Sequence, residues 1–223
     1  MTLTGLPTYE RLQRIGSNGF SHTFRAWAPR YDTTVVLKVY SVRLSPDLAS
    51  DFLGDLRALD AVVPPRLAPV LEGGSTTDGR PYLLRRRVAG RPLSTDHDVA
   101  ADDLDALCLV ARGAAEALAA LHAAGLAHGA ITPDNLLVNR SATDPAVWLT
   151  APLPATVARL RPDGFRHDPA FVAPEVRDSG VARPDGDVYS FAAALSAALG
   201  HVAAPADLHD LLGSCLAARP ADR

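Results

Sequence analysis

The stretch that most narrows the folds open to this chain runs from residue 104 to residue 138. Leu104, Leu107, Val110, Ala114, Leu118 and Leu121 recur at helical spacing and predict one long amphipathic helix. The helix closes on Ala120-Leu121-His122-Ala123-Ala124-Gly125, and Glu116 and His122 on it read as structural. A loop follows, His128-Gly129-Ala130-Ile131-Thr132-Pro133-Asp134-Asn135, and then an apolar strand, Leu136-Leu137-Val138. A helix and a strand thus pin a short polar loop from both sides, an arrangement that presents side chains for chemistry.

That layout resembles the catalytic loop of the eukaryotic-like serine/threonine protein kinases, the type bacteria carry, written H-R-D-x-K-P-x-N. In that family the Asp accepts the substrate hydroxyl's proton and the Asn holds a magnesium ion. Here His128, Pro133 and Asn135 keep the frame, while Gly129, Ala130 and Thr132 stand at the Arg, catalytic Asp and Lys positions. An alanine methyl cannot accept a proton. The resemblance therefore implies a degenerate member of the family, a pseudokinase.

Other landmarks follow in family order. Two strands over residues 9–28 flank Gly16-Ser17-Asn18-Gly19-Phe20-Ser21, which resembles the glycine-rich phosphate loop. Gly16 matches its first glycine and Gly19 lies beside the second, but Asn18 and Ser21 occupy glycine positions and hinder close approach to a phosphate. The β-branched run Val35-Val36-Leu37-Lys38-Val39-Tyr40 resembles the strand whose lysine contacts the α- and β-phosphates, and Val36 adds two methyls where the family has alanine. Ser45-Pro46-Asp47 starts a helix with Leu48, Phe52, Leu53, Leu56 and Leu59 at helical spacing. Asp55 on that helix falls where the family pairs a glutamate with the lysine; the alternative is a solvent-facing Asp55. Arg85 falls on the gatekeeper position, and a buried unpaired charge is costly, so the sequence predicts that Arg85 reaches an acid such as Asp55; a basic surface patch with Arg86 and Arg87 is the alternative.

Beyond the loop, Val147-Trp148-Leu149-Thr150 resembles the strand before the family's D-F-G, but Ala151-Pro152-Leu153 follows, so the magnesium-bridging Asp is replaced by Ala151. Asp163-Gly164-Phe165 downstream reads as a turn. Ala173-Pro174-Glu175 resembles the A-P-E end of the activation segment, Asp187-Val188-Tyr189-Ser190-Phe191 the helix start whose Asp braces the catalytic loop, and Arg223 the partner of the A-P-E glutamate. Thr156 is the sole hydroxyl side chain between 151 and 175, which with Gly129 argues against control by activation-loop phosphorylation. About six residues, from Gly200 to Pro205, separate the last two helices.

Composition sets the outer limits. The chain has 223 residues, 48% of them hydrophobic, and a net charge of −3, which allows a proper core and gives no reason to expect nucleic acid as partner. Lys38 is the single lysine among 22 basic residues, and asparagine occurs at 18, 135 and 139 alone, so a retained Lys or Asn carries extra information. Cys108 and Cys215 read as small core residues in a reducing compartment. With no signal-peptide pattern and no apolar run near the ~20 residues of a membrane span, the expectation is a cytoplasmic chain without membrane insertion.

The expected fold is α+β and bilobal: a small β-rich N-lobe with one main helix over about 1–88, a hinge over about 86–92, and a mostly helical, shortened C-lobe over about 93–223. The expected activity is none; the domain binds or scaffolds a protein partner, whether a kinase, a phosphopeptide-reading domain or a neighbouring enzyme. Gly16, Gly19, Lys38, Asp55 and Asn135 make a remnant nucleotide site, with no metal and no required cofactor. Two alternatives stay open. One is a nucleotide sensor that holds ATP through Lys38 and Asn135 without metal; the other is a weakly active kinase with Asp134 or Asp163 taking over the metal.

Overall fold

The computed structural model describes residues 9–62, 66–95, 104–141, 144–160, 168–200 and 204–223. Asp163-Gly164-Phe165 and part of the 200–205 connection lie outside the described residues. The described chain forms two units: residues 9–62, 68–87 and 154–160 make the first, and residues 66–67, 88–153 and 168–223 the second.

The first unit is built on a five-stranded antiparallel sheet. Its strands are β1 (Glu10–Ser17), β2 (Ser21–Ala28), β3 (Thr33–Tyr40), β4 (Val70–Ser75) and β5 (Pro81–Arg86), in the spatial order β1-β2-β3-β5-β4. The β-branched run places Val35, Leu37 and Val39 on one face, where they bury with Ala26, Ala28, Tyr82 and Leu84. The other face carries the alternate residues, Val36 and Lys38 among them. Helix α1 (Pro46–Val62) begins as its sequence dictates: the Ser45 hydroxyl accepts the Leu48 N–H at 3.4 Å, with proline at the first helical position. Phe52, Leu56 and Leu59 bury, but Leu53 is exposed, because the helical stripe facing the sheet is narrower than the apolar pattern. Gly73 on β4 allows the approach: a Cβ there would stand 2.1 Å from Leu56 Cδ1. The Glu72 carboxylate ties strand ends together by accepting from the hydroxyls of Tyr9 and Tyr31, each at 2.8 Å. Burial, with the Glu72 carboxylate adding to it, pushes both tyrosines above their ordinary range.

The second unit is mainly helical. A small sheet, β6 (Arg91–Pro92), β7 (Leu136–Ser141) and β8 (Asp144–Leu149), lies beside α2 (Leu104–Ala123). Leu107, Val110, Ala114, Leu118 and Leu121 of α2 bury as their spacing predicts. Cys108 on the same helix is exposed rather than in the core, and Cys215 is half-buried. The short α3 (Ala155–Arg159) belongs to the first unit; α4 (Pro174–Ser179), α5 (Pro184–Leu199) and α6 (Ala206–Cys215) complete the second. No helix among the described residues is long and apolar enough to cross a membrane.

Candidate functional site

The loop from His128 to Asn135 is held by a buried charge from α5. Asp187, 2% exposed, accepts the backbone N–H groups of His128 at 2.6 Å and Gly129 at 2.8 Å, and its third contact is His122 Nε2 at 3.0 Å. A buried carboxylate persists only when so compensated. The His128 ring is fully buried; its Nε2–H donates to the Thr150 carbonyl at 3.0 Å, and its Nδ1 accepts the Ala130 N–H at 3.3 Å. Asn135 donates its side-chain N–H to the Ala130 carbonyl at 2.6 Å, while its own carbonyl accepts from the Thr150 N–H at 2.9 Å. The loop, the β8 end and α5 are therefore one hydrogen-bonded frame. His122, read from sequence as structural, is part of it.

Inside that frame, the two positions at which the resemblance expects carboxylates hold methyl groups. Ala130 is 3% exposed and Ala151 8% exposed, and Thr132 is also buried. Ala151 adopts φ +60, a left-handed conformation that asparagine and aspartate visit far more readily than alanine. Gly129 at φ +66 is close-packed: a Cβ there would lie 2.7 Å from the Ala182 Cβ, so no side chain fits at the family's arginine position without a shift of the 182 segment. The exposed Asp134 is bound by the Ser94 hydroxyl. Among the described residues no group of three or more His, Cys, Asp or Glu side chains is placed to hold a metal ion, and Asp163 lies outside them.

The first unit carries the remaining candidates. Gly16 sits at the end of β1 opposite Thr23, and nothing lies within 4 Å of where a Gly19 side chain would start. Asn18 closes the turn between them. Its side-chain oxygen accepts the backbone N–H of Phe20 at 3.0 Å and of Ser21 at 2.7 Å, besides the Ser21 hydroxyl at 3.2 Å. Those N–H groups are the donors a phosphate-covering loop would offer to an anion, and a carboxamide occupies them. By its sequence position Asn18 is an obstacle to close approach; the geometry shows it as an internal acceptor. Lys38 has its ammonium 5.3 Å from the centre of the Tyr40 ring.

Two expected pairings are corrected. The Asp55 carboxylate accepts the Thr156 N–H at 2.6 Å, at the start of α3, and among the described residues it pairs with neither Lys38 nor Arg85. A helix N-terminus competes well for a short carboxylate because its first N–H groups have no helical partner. Thr156 itself is fully buried. Arg85 points inward as expected, but its Nη1 is buried with no hydrogen-bond partner among the described residues. Burial, aided by the neighbouring Arg87 charge, pulls the Arg85 guanidinium down to about 10. The Glu175–Arg223 pair forms as expected, with Nη1–Oε1 at 2.6 Å and Nη2–Oε2 at 2.9 Å. It holds the Glu175 carboxyl below its ordinary range.

Comparison with known proteins adds three observations. No protein-family model matches the chain. In sequence it is 30% identical over 203 residues to the serine/threonine-protein kinase PknK of Mycobacterium tuberculosis, covering 87% of this chain and 18% of that protein. It is 28% identical over 193 residues to the DNA damage-responsive serine/threonine-protein kinase RqkA of Deinococcus radiodurans, covering 84% of this chain and 29% of that one. The chain thus spans less than a third of either relative. In structure it is similar to the Mycobacterium tuberculosis PknI kinase domain, with a TM-score of 0.69 at 19% identity over 100% of this chain and 94% of that one. Rad53 1-466, crystallised with AMP-PNP, gives 0.72 at 19% identity over 96% of this chain and 62% of that one.

Proposed function

We propose, for a chain that has the protein-kinase fold and bacterial serine/threonine protein kinases as its homologues, that it acts as a pseudokinase: a cytoplasmic protein-binding module without phosphoryl transfer. One observation carries the reading. The frame that positions a proton acceptor and a metal ligand is intact, and at both places, Ala130 and Ala151, it presents a buried methyl group.

The magnitudes favour inactivity over slow catalysis. Loss of a general base costs ~10²–10⁴ in rate, against a kinase turnover of ~1–100 s⁻¹. Loss of the metal ligand removes several kcal/mol more, because phosphoryl transfer depends on neutralising charge on the phosphates. Asn18 on the loop N–H groups removes a third contribution, and it also weighs against the nucleotide-sensor alternative. The sensor alternative requires Lys38 and Asn135, and the Asn135 amide is already given to the Ala130 carbonyl.

The test is transfer of labelled γ-phosphate from ATP to the chain itself and to a generic basic protein substrate, with magnesium or manganese. The expected result is no transfer above a no-protein blank. Transfer that disappears in a Lys38→Met variant would contradict the reading.

A further inference from the structure

A recess of about 350 Å³ on the first unit is lined by Arg11, Gln13, Arg25, Trp27, Thr34 and Arg87, among others, on the sheet face that also carries Val36 and Lys38. Among the described residues it is lined by three arginines and no carboxylate, in a chain whose net charge is −3. The β-register explains the cluster: Trp27 stands opposite Thr34, and Arg25 opposite Val36, which in turn faces Arg85 across β3 and β5. Alternate residues of neighbouring strands therefore deliver cations to one sheet face.

Three details make this more than a solvated basic surface. First, Arg25 and Gln13, which both line the recess, are joined across β1 and β2: Arg25 Nη2–H donates to Gln13 Oε1 at 2.5 Å. Second, Arg11, also in the lining, stands at φ +53 within a register shift between Glu10 and Gln13. Third, Arg85 lies outside the lining, but on the same face and two residues from Arg87, and its buried Nη1 has no hydrogen-bond partner among the described residues, so it adds positive charge beside the recess. An anion between Arg11, Arg25 and Arg87 would relieve the mutual repulsion of like charges. Half-buried Trp27 adds an apolar wall for a residue flanking that anion.

We infer that this recess binds a phosphate monoester dianion carried on a phosphorylated segment of a partner protein, with Arg11, Arg25 and Arg87 as its donors and Trp27 packing on a neighbouring side chain. Planar guanidinium groups from several strands suit three phosphate oxygens, and a recess with an aromatic wall suits a peptide better than a free ion. The inference deepens the protein-binding reading above by naming the partner's chemistry.

The test is fluorescence anisotropy with a labelled nine-residue peptide of alanine, leucine and glycine bearing one central phosphothreonine. Its unphosphorylated twin, inorganic phosphate, ATP and single-stranded oligo-dT serve as comparison ligands. The phosphopeptide is expected to bind at least tenfold tighter than its twin and to weaken as salt rises. Arg25→Ala and Arg87→Ala, both surface changes, are each expected to lower its affinity roughly tenfold. Equal binding of the twin, tighter binding of oligo-dT or ATP, phosphate binding without peptide binding, or indifference to both substitutions would overturn the inference. The phosphoryl-transfer assay separates this from the wider reading: transfer with phosphopeptide binding sinks the pseudokinase reading alone, and no transfer with no binding sinks this site alone.

Discussion

Ala151 keeps a backbone conformation that its side chain does not favour. At φ +60 the Cβ approaches the carbonyl oxygen, at a cost of ~1–2 kcal/mol for a residue other than glycine. Thr150, just before it, is fixed by its bonds to Asn135 and His128, so the strained angle is imposed by the frame. Ala151→Gly is therefore expected to stabilise the chain by about 1 kcal/mol, read as a rise of roughly 2–4 °C in thermal midpoint. A fall in midpoint would mean that the methyl's packing outweighs the strain. At this scale the sequence was partly legible. Ala130 and Ala151 could be read at once, because losing a carboxylate is a fact of identity. The seating of Asn18 on two loop N–H groups could not, since it depends on a side-chain rotamer within a turn. The Asp55 pairing failed for a similar reason: the competing donor, the Thr156 N–H, lies 101 residues away in sequence.

Among elements, the α4 turn is joined to the chain's last residues by Glu175 and Arg223, whose side chain is 2% exposed. Arg223 also donates to the Asp185 carbonyl at 3.1 Å, so the α4 and α5 starts share one guanidinium. Hydrogen bonding from Arg223 depresses the Glu175 pKa in the folded state. A depressed carboxylate stabilises the fold above its unfolded value and gives up that stability as pH falls through its folded value. Stability is thus expected to decline below the ordinary carboxylate range near ~4, and Glu175→Gln should flatten the decline while costing ~3 kcal/mol at neutral pH. Urea melts of both proteins across the acid range measure this, and parallel pH profiles would refute it. Elements themselves were the most legible part of the chain. Periodicity gave α1 and α2, the β-branched run gave β3, and the proline start of α1 was legible directly, whereas α5 begins at Pro184, ahead of the start expected at Asp187. Leu53 and Cys108 turned out exposed because an apolar or small residue at helical spacing still needs a neighbour to bury against.

Across the whole molecule, what the chain retains and what it lacks fall on different functions. Asp187, Glu175, Arg223, His128 and Asn135 sustain architecture, each with its bonds satisfied. Carboxylates at 130 and 151, and open donors on the loop at 18–21, would have served a nucleotide with its cation. The most direct test of that division is a calorimetric titration with ATP, run with and without magnesium. The expected result is no magnesium-dependent heat and at most weak binding that is the same in both runs. Binding that tightens tenfold or more when magnesium is added would contradict it.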